Sequence, residues 1–379
     1  MEEVRDLKLE LVQVLFRHGA RTCNKSEATI PMPQHIDKAL HDKYDYGQLT
    51  NVGKAQAHKL GCLLRERYGK FLGDSYHPRD VHAYSSDFDR TKASLQLVLA
   101  GLYPPSSEEK WNSDLDWMPI PFHSTPQDMD HLLLTFKRSR YQKLLQDAMN
   151  SPTGQEKLTK MHELHDFFME KGIDKVKEYG FIAGLGIHNV LSAHKSSKCV
   201  LPVWYTEELF TVLRERVVDL LDLMSLTAEM RRLIAGSLIR KFRENMDIEG
   251  KFDNPRKIYL FSGHELNLAA FTRAHGISDE FKYPDYSSAV ILEKWRDPQG
   301  KIFVRMLGRT GPYEKFLPLK LGDSGDFCPI DEYLKMTDNL IPADEELLEI
   351  INDRGQDLLS AVQSDYVFRS KTPVIDTFA

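Results

Sequence analysis

Two short stretches hold the side chains with the most chemistry in this sequence: Phe16-Arg17-His18-Gly19-Ala20-Arg21 and, far downstream, Ser262-Gly263-His264-Glu265. A neutral imidazole nitrogen can attack phosphorus and form a phosphohistidine that water later hydrolyses. A phosphate monoester concentrates negative charge on oxygens that guanidinium forks match with paired hydrogen bonds. Arg17 and Arg21 flank His18 closely enough to hold such a group against the ring. Gly19 removes a side chain where substrate or backbone must come close. Fixed positive groups stabilise the charge spread over a transferring phosphoryl group. A leaving alkoxide needs a proton, and Glu265, beside His264, is the natural donor. Taken singly, each residue has a blander reading. A histidine at a strand end is usually structural, and an Arg-x-x-x-Arg pair is usually solvated. The specificity lies in R-H-G-x-R after one buried strand together with His-Glu after another.

These stretches need elements that bring them together. Leu7 to Phe16 is rich in β-branched and large apolar residues and reads as a mostly buried strand cut off at Arg17. Lys257 to Phe261 reads as a second buried strand, followed by a helix ending near Gly276. In open α/β sheets the ligand site lies beyond the carboxyl ends of strands, so both motifs fall where such a site is built. Thr50 can cap a helix to about Tyr68, with Ala55, Leu60, Leu63 and Leu64 as its apolar face and Gly69 as its stop. Val81 to Tyr84 reads as a short strand and Asp89 to Leu102 as a helix. Ser288 to Trp295 and Ile302 to Leu307 flank Arg296-Asp297-Pro298-Gln299-Gly300 as a hairpin. From about Trp111 to Asn245 helical periodicity dominates, as in Leu209-Val212-Leu213-Val217-Leu220-Leu221. The expected architecture is an α/β core of 1–110 and 246–379, a three-layer arrangement with a mixed, mainly parallel sheet. A mainly helical subdomain, 111–245, is inserted and covers the site.

Composition bounds the rest. The 379 residues carry a formal charge of −6, which argues against non-specific nucleic-acid binding. No apolar stretch is long enough to span a bilayer. Met1-Glu2-Glu3-Val4-Arg5-Asp6 lacks the pattern of a signal peptide. The cysteines, Cys23, Cys62, Cys199 and Cys328, match no zinc or redox spacing and are expected to be free thiols. Asn24-Lys25-Ser26 is an N-glycosylation triplet of a kind that often arises by chance.

Over nearly its whole length the chain resembles the histidine acid phosphatases of the histidine phosphatase superfamily, with the insect venom, lysosomal and prostatic acid phosphatases as its nearest likeness. The resemblance rests on Arg17 to Arg21, Gly47-Gln48-Leu49-Thr50-Asn51-Val52-Gly53 and Leu60-Gly61 with Arg65-Glu66-Arg67-Tyr68. It continues through Ser85-Ser86-Asp87-Phe88-Asp89-Arg90-Thr91, Leu102-Tyr103-Pro104-Pro105, Pro119-Ile120-Pro121, Tyr259 to Glu265 and Cys328-Pro329-Ile330-Asp331. It implies a phosphoglycerate mutase-like fold and an acid phosphatase working through a phosphohistidine on His18. It also implies a phosphate clamp of Arg17, Arg21 and Arg90, a second phosphate contact at His264, and no metal or other cofactor. From the residues alone, Arg90 is only a surface charge at a helix start. Relatives of this kind are often homodimers, so a homodimer belongs among the expectations, although no residue pattern demands it.

The chain departs from the family pattern in three ways. His264-Glu265 replaces the usual His-Asp, Ala20 stands where many acid phosphatases carry Asp, and most disulfide cysteines of the secreted relatives are missing. The last departure points to a reducing compartment rather than a secreted or lysosomal one. Alternative readings are a phosphatase for phytate or lipid phosphates and a silent ligand-binding homologue. Phytate would call for more cationic groups; Lys137 and Arg138 could line an entrance, but a solvated surface pair is the simpler reading.

Overall fold

The structure, a computed structural model, describes residues 6–29, 37–173, 176, 181–251 and 255–352; residues 1–5 and 353–379, both assigned above to the core, lie outside the described residues. Strand β1 (Lys8–Arg17) alternates its side chains between two apolar clusters. Leu11 and Leu15 enter one, and Val12, Val14 and Phe16 the other, which is why the strand reads as an unbroken apolar run. Gln13 is buried among them and is satisfied: its Nε2 donates to the Phe242 carbonyl at 2.9 Å, and its Oε1 accepts from Asn245 Nδ2 at 2.9 Å.

The sheet order is β3-β2-β4-β1-β5-β6-β7, with β8 also on β6. One half is parallel: β1 with β4 (Ile258–Gly263), β4 with β2 (Val81–Ser85), and β2 with β3 (His123–Ser124). The other half is antiparallel, through β5 (Ala289–Arg296), β6 (Ile302–Arg309), β7 (Leu317–Leu319) and β8 (Cys328–Pro329). Strands β5 and β6 form the expected hairpin, where Gly300 takes φ +87 and the Asp297 carboxylate accepts from Gln299 N and Lys301 N. Register decides the site. Phe16 is level with Ser262, Arg17 with Gly263, and Ser85 with Ser262, so three loops leave the sheet side by side.

Helices flank both faces. After α1 (Lys25–Thr29) and α2 (Lys38–Tyr44), α3 (Asn51–Leu72) and α4 (Asp89–Leu102) pack on the cluster of Val12, Val14 and Phe16. They cross at glycine: a Cβ on Gly61 would lie 2.1 Å from the Val98 carbonyl oxygen. Helix α3 differs from expectation at its end and on its buried face. It runs past Gly69 and stops at Gly73, which takes φ 88. A mid-helix glycine costs only about 1 kcal/mol, and burial of Tyr68 and Leu72 offsets that. Its buried face is Gly53, Gln56, Ala57, Leu60, Gly61, Leu64, Tyr68 and Leu72, while Ala55 is exposed and Leu63 half-buried.

The opposite face carries α5 (Ser139–Asn150), α6 (Pro152–Glu170), α7 (Phe181–Ser196), α8 (Glu207–Leu223), α9 (Ala228–Asn245) and α10 (Glu265–Ala274), which share one continuous apolar cluster with the sheet. Two further helices, α11 (Ile330–Thr337) and α12 (Asp344–Asn352), follow the sheet. Among the described residues, no helix is long and apolar enough to cross a membrane.

Candidate active site

The loop after β1 is pinned from every side. Its backbone is tied to the neighbouring strand ends by His18 N to the Gly263 carbonyl at 3.1 Å and Ser287 N to the His18 carbonyl at 3.0 Å. Gly19 N donates to Ser94 Oγ at 3.1 Å, and Ala20 N to Gln56 Oε1 at 2.9 Å. A Cβ on Gly19 would lie 2.1 Å from the Gly53 carbonyl oxygen. The glycine is therefore required by the backbone at the start of α3, not by room for substrate.

His18 is buried, and its Nδ1 lies 2.8 Å from its neighbour's carbonyl, Gly19 O. A carbonyl only accepts, so Nδ1 carries the proton and Nε2 keeps its lone pair. Burial, then Arg90, Arg17, His264 and Arg21, hold the imidazole well below its usual range, so it stays neutral. The His264 ring stands edge-on to it, with centroids 5.6 Å apart.

Three buried guanidinium groups surround this pair. Arg17 donates from Nη1 to the Pro284 carbonyl at 2.9 Å and to Tyr283 Oη at 3.3 Å, and its Cζ lies 4.5 Å from the Tyr286 ring centroid. Its Nε sits 3.0 Å from Glu265 Oε2, an ion pair without hydrogen-bond geometry. Burial alone would favour the neutral form of Arg17, but Glu265 and the two tyrosines outweigh it and raise its pKa. Arg21 is held by both oxygens of Glu27, at 2.7 and 2.8 Å. Arg90 has no such partner. It stacks 4.6 Å over the Phe88 ring, and burial together with Arg21 pushes its pKa down to about 9. Arg21 Nε, Arg90 Nε, Arg90 Nη2 and His264 Nδ1 are all buried without a hydrogen-bond partner. The unused guanidinium donors, out of reach of water, are costly to leave unpaired, and a bound anion would satisfy them.

The structure thus brings together all six residues singled out above: Arg17, His18, Arg21, Arg90, His264 and Glu265. Arg90 is 5% exposed rather than a surface charge. Lys137 and Arg138 are not the solvated pair expected. Arg138 is buried and donates to the Asp128 carbonyl at 3.0 Å. Lys137 donates to Gln127 Oε1 at 2.8 Å and lies 5.5 Å from the Phe88 ring centroid. Gln127, Phe88 and Arg90 line a cleft of about 310 Å³ with Asp87, Asp89 and Lys25.

Sequence reasoning missed the supporting residues Glu27, Asn189, Tyr283 and Tyr286, and it gave no role to Ser86 and Thr91 although they lie in a motif quoted above. Glu27 is fully buried and also accepts from Asn189 Nδ2 of α7 at 2.8 Å. No local pattern marks either residue. Among the described residues, no cluster of three or more His, Cys, Asp or Glu could hold a metal ion.

The profile of the histidine phosphatase superfamily (branch 2) matches residues 8–309. The venom acid phosphatase of Apis mellifera is 34% identical over 95% of this chain and 93% of its own length. The prostatic acid phosphatase of Homo sapiens is 30% identical over 89% of this chain and 86% of its own length. The human lysosomal acid phosphatase is 29% identical over 91% and 81%. The phytase of Citrobacter braakii superposes with a TM-score of 0.67 at 16% identity, covering 90% of this chain and 99% of that one, and so shows the fold alone. Relatives named for venom, lysosome and prostate overturn the expected reducing compartment. Cys23 and Cys328 are free thiols packed in a core large enough to stand without disulfide staples, so missing cysteines do not report the redox environment. By sequence, by fold and by the names its relatives carry, the chain belongs to the histidine phosphatase superfamily (branch 2) and is a phosphoric monoester hydrolase of the acid phosphatase kind.

Proposed function

We propose that His18 is the nucleophile and Glu265 the proton donor of this hydrolase, with Arg17, Arg21, Arg90 and His264 holding the phosphate. The observation that carries the reading is the pairing of a buried, neutral His18, its Nε2 unprotonated, with buried guanidinium donors that have no partner. Nε2 attacks phosphorus, the bond to the leaving oxygen breaks, and that oxygen takes a proton from Glu265. Water then attacks the phosphohistidine and gives its proton back to the Glu265 carboxylate, which frees phosphate and His18. The arginines supply the charge clamp, so turnover needs no metal. In the same reading residues 111–245 form a cover, since Gln127 and Lys137 reach the mouth and Asn189 reaches Glu27.

Simple monoesters suit the mouth better than phytate. Asp87 and Asp89 place two carboxylates there, against Lys25 and Arg90, and a polyanion would meet both. The test is turnover of a chromogenic phosphomonoester at pH 5. His18→Ala should lower it by several orders of magnitude with the fold intact. Exhaustive chelation should leave wild-type turnover unchanged, and vanadate should inhibit as a mimic of five-coordinate phosphorus. A His18→Ala variant retaining a tenth of wild-type turnover would remove His18 from the chemistry, and no turnover in the wild type would favour a silent binding protein.

A further inference from the structure

His264 is held by a chain of hydroxyl groups whose direction can be read. Thr91 Oγ1 lies 2.9 Å from the Ser86 carbonyl and 2.9 Å from the Phe88 carbonyl. Carbonyls only accept, so the single Thr91 proton is committed to one of them. Ser86 Oγ, 3.0 Å from Thr91 Oγ1, must then be the donor of that pair. With its own proton used, Ser86 Oγ accepts from His264 Nε2 at 2.9 Å. The neutral ring therefore carries its proton on Nε2. Its other nitrogen, Nδ1, is a bare acceptor, buried and without a partner.

This is an unexpected polarity in a site full of donors. Arg17, Arg21 and Arg90 face His264 from the end of β1 and from α4, Lys137 adds charge from the turn Thr135–Lys137, His18 stands edge-on, and Glu265 follows on its own helix. Burial and these cations hold the His264 imidazole well below its usual range, so protonating it to make a second donor is costly. An acceptor among three guanidinium groups suits a tetrahedral anion that itself carries a proton.

We propose that Ser86 and Thr91 are positioning residues that fix His264 as an acceptor at Nδ1, so that the site selects the monoanion of a phosphate ester and discriminates against tetrahedral dianions that carry no proton. The inference rests on the phosphate role proposed for His264 above. The P–O–H of the monoanion donates to Nδ1, while its charged oxygens take the guanidinium donors. No proton has to be transferred for binding. An alkyl phosphate loses its second proton near pH 6, so this preference by itself ties recognition to acidic conditions.

Inorganic phosphate and inorganic sulfate separate the two cases, since sulfate carries no proton to donate in the working range. Competitive inhibition constants should favour phosphate by about tenfold or more at pH 5 in the wild type. That ratio should fall as pH rises through the second ionisation of phosphate. Thr91→Val removes the acceptor of the Ser86 proton, so Ser86 turns its hydroxyl to Nε2 and the imidazole proton moves to Nδ1. Sulfate should then bind within a few-fold of phosphate. Ser86→Ala frees Nε2 and should move the ratio the same way, and Thr91→Ser should keep the wild-type ratio. Equal binding of the two anions by the wild type, or an unchanged ratio in folded Thr91→Val and Ser86→Ala, would overturn the proposal. The phosphate-to-sulfate ratio is independent of the His18→Ala result, so the two readings can fail separately.

Discussion

The ends of β1 and β4 and the shell that supports them solve different problems with similar residues. At the strand ends, Arg17, His18, His264 and Glu265 follow directly from register, because Arg17 and Gly263 are level in the parallel pair. In the shell, Glu27 reaches Arg21 from α1, Asn189 reaches Glu27 from α7, and Tyr283 and Tyr286 flank Arg17 from the approach to β5. The contrast between two arginines shows what the shell does. Arg21 is neutralised by both oxygens of a buried carboxylate and is fixed. Arg90 rests on an aromatic ring with two nitrogens unpartnered, its pKa drawn down to about 9. Arg21 is fixed by its carboxylate and keeps only Nε unpartnered, whereas Arg90 keeps two nitrogens unpartnered.

Breaking the strand-end group should cost catalysis, whereas breaking the shell should cost stability first. The largest effect after loss of His18 is expected at Glu265. Glu265→Gln should lower kcat/KM for an alkyl phosphate by about a hundred- to ten-thousand-fold, and far less for a nitrophenyl phosphate, whose leaving group needs no proton. Equal losses with the two substrates would make Glu265 a structural acid. Glu265→Asp should keep much of the activity, because the chemistry is unchanged and only the reach is shorter.

In the shell, Glu27→Ala leaves Arg21 buried without its counter-charge and should destabilise the protein by about 3–5 kcal/mol. The sign with pH follows from Glu27 itself. Burial works to raise its pKa, but Arg21 and the bonds from Asn24 N and Asn189 outweigh it and hold the carboxyl below the usual carboxylate range. The stabilisation is therefore complete above the ordinary carboxylate range and is lost only as pH falls through the depressed value. The gap between wild type and Glu27→Ala in urea denaturation should persist at pH 5 and close at lower pH. Asn189→Ala removes one hydrogen bond to that carboxylate and should cost only about 1 kcal/mol, with little change in kcat. If Asn189→Ala lowered kcat as much as Glu265→Gln, the division between the two regions would fall.

The division also marks what could be read without coordinates. His18, His264 and Glu265 were legible because apolar runs that stop at charged residues announce strand ends, and strand ends are where α/β sheets place ligands. Arg90 came only through likeness to relatives. A helix-start arginine looks the same whether its helix faces solvent or, as here, turns inward over Phe88. Glu27 and Asn189, separated by 162 positions, share a hydrogen bond that no local pattern encodes. Gly69 misled for a related reason. Its cost to a helix is local, while the burial of Tyr68 and Leu72 that carries α3 past it is tertiary.

The central claim is that the phosphoryl group passes through His18, and the most direct measurement is to trap it. Enzyme mixed rapidly with a radiolabelled phosphomonoester and quenched in alkali, where phosphohistidine survives, should carry label on one peptide. Fragmentation of that peptide should place the phosphate on His18, and Glu265→Gln should still acquire it from a nitrophenyl phosphate. Label on another residue, or turnover with no labelled enzyme while water attacks the substrate directly, would contradict the account.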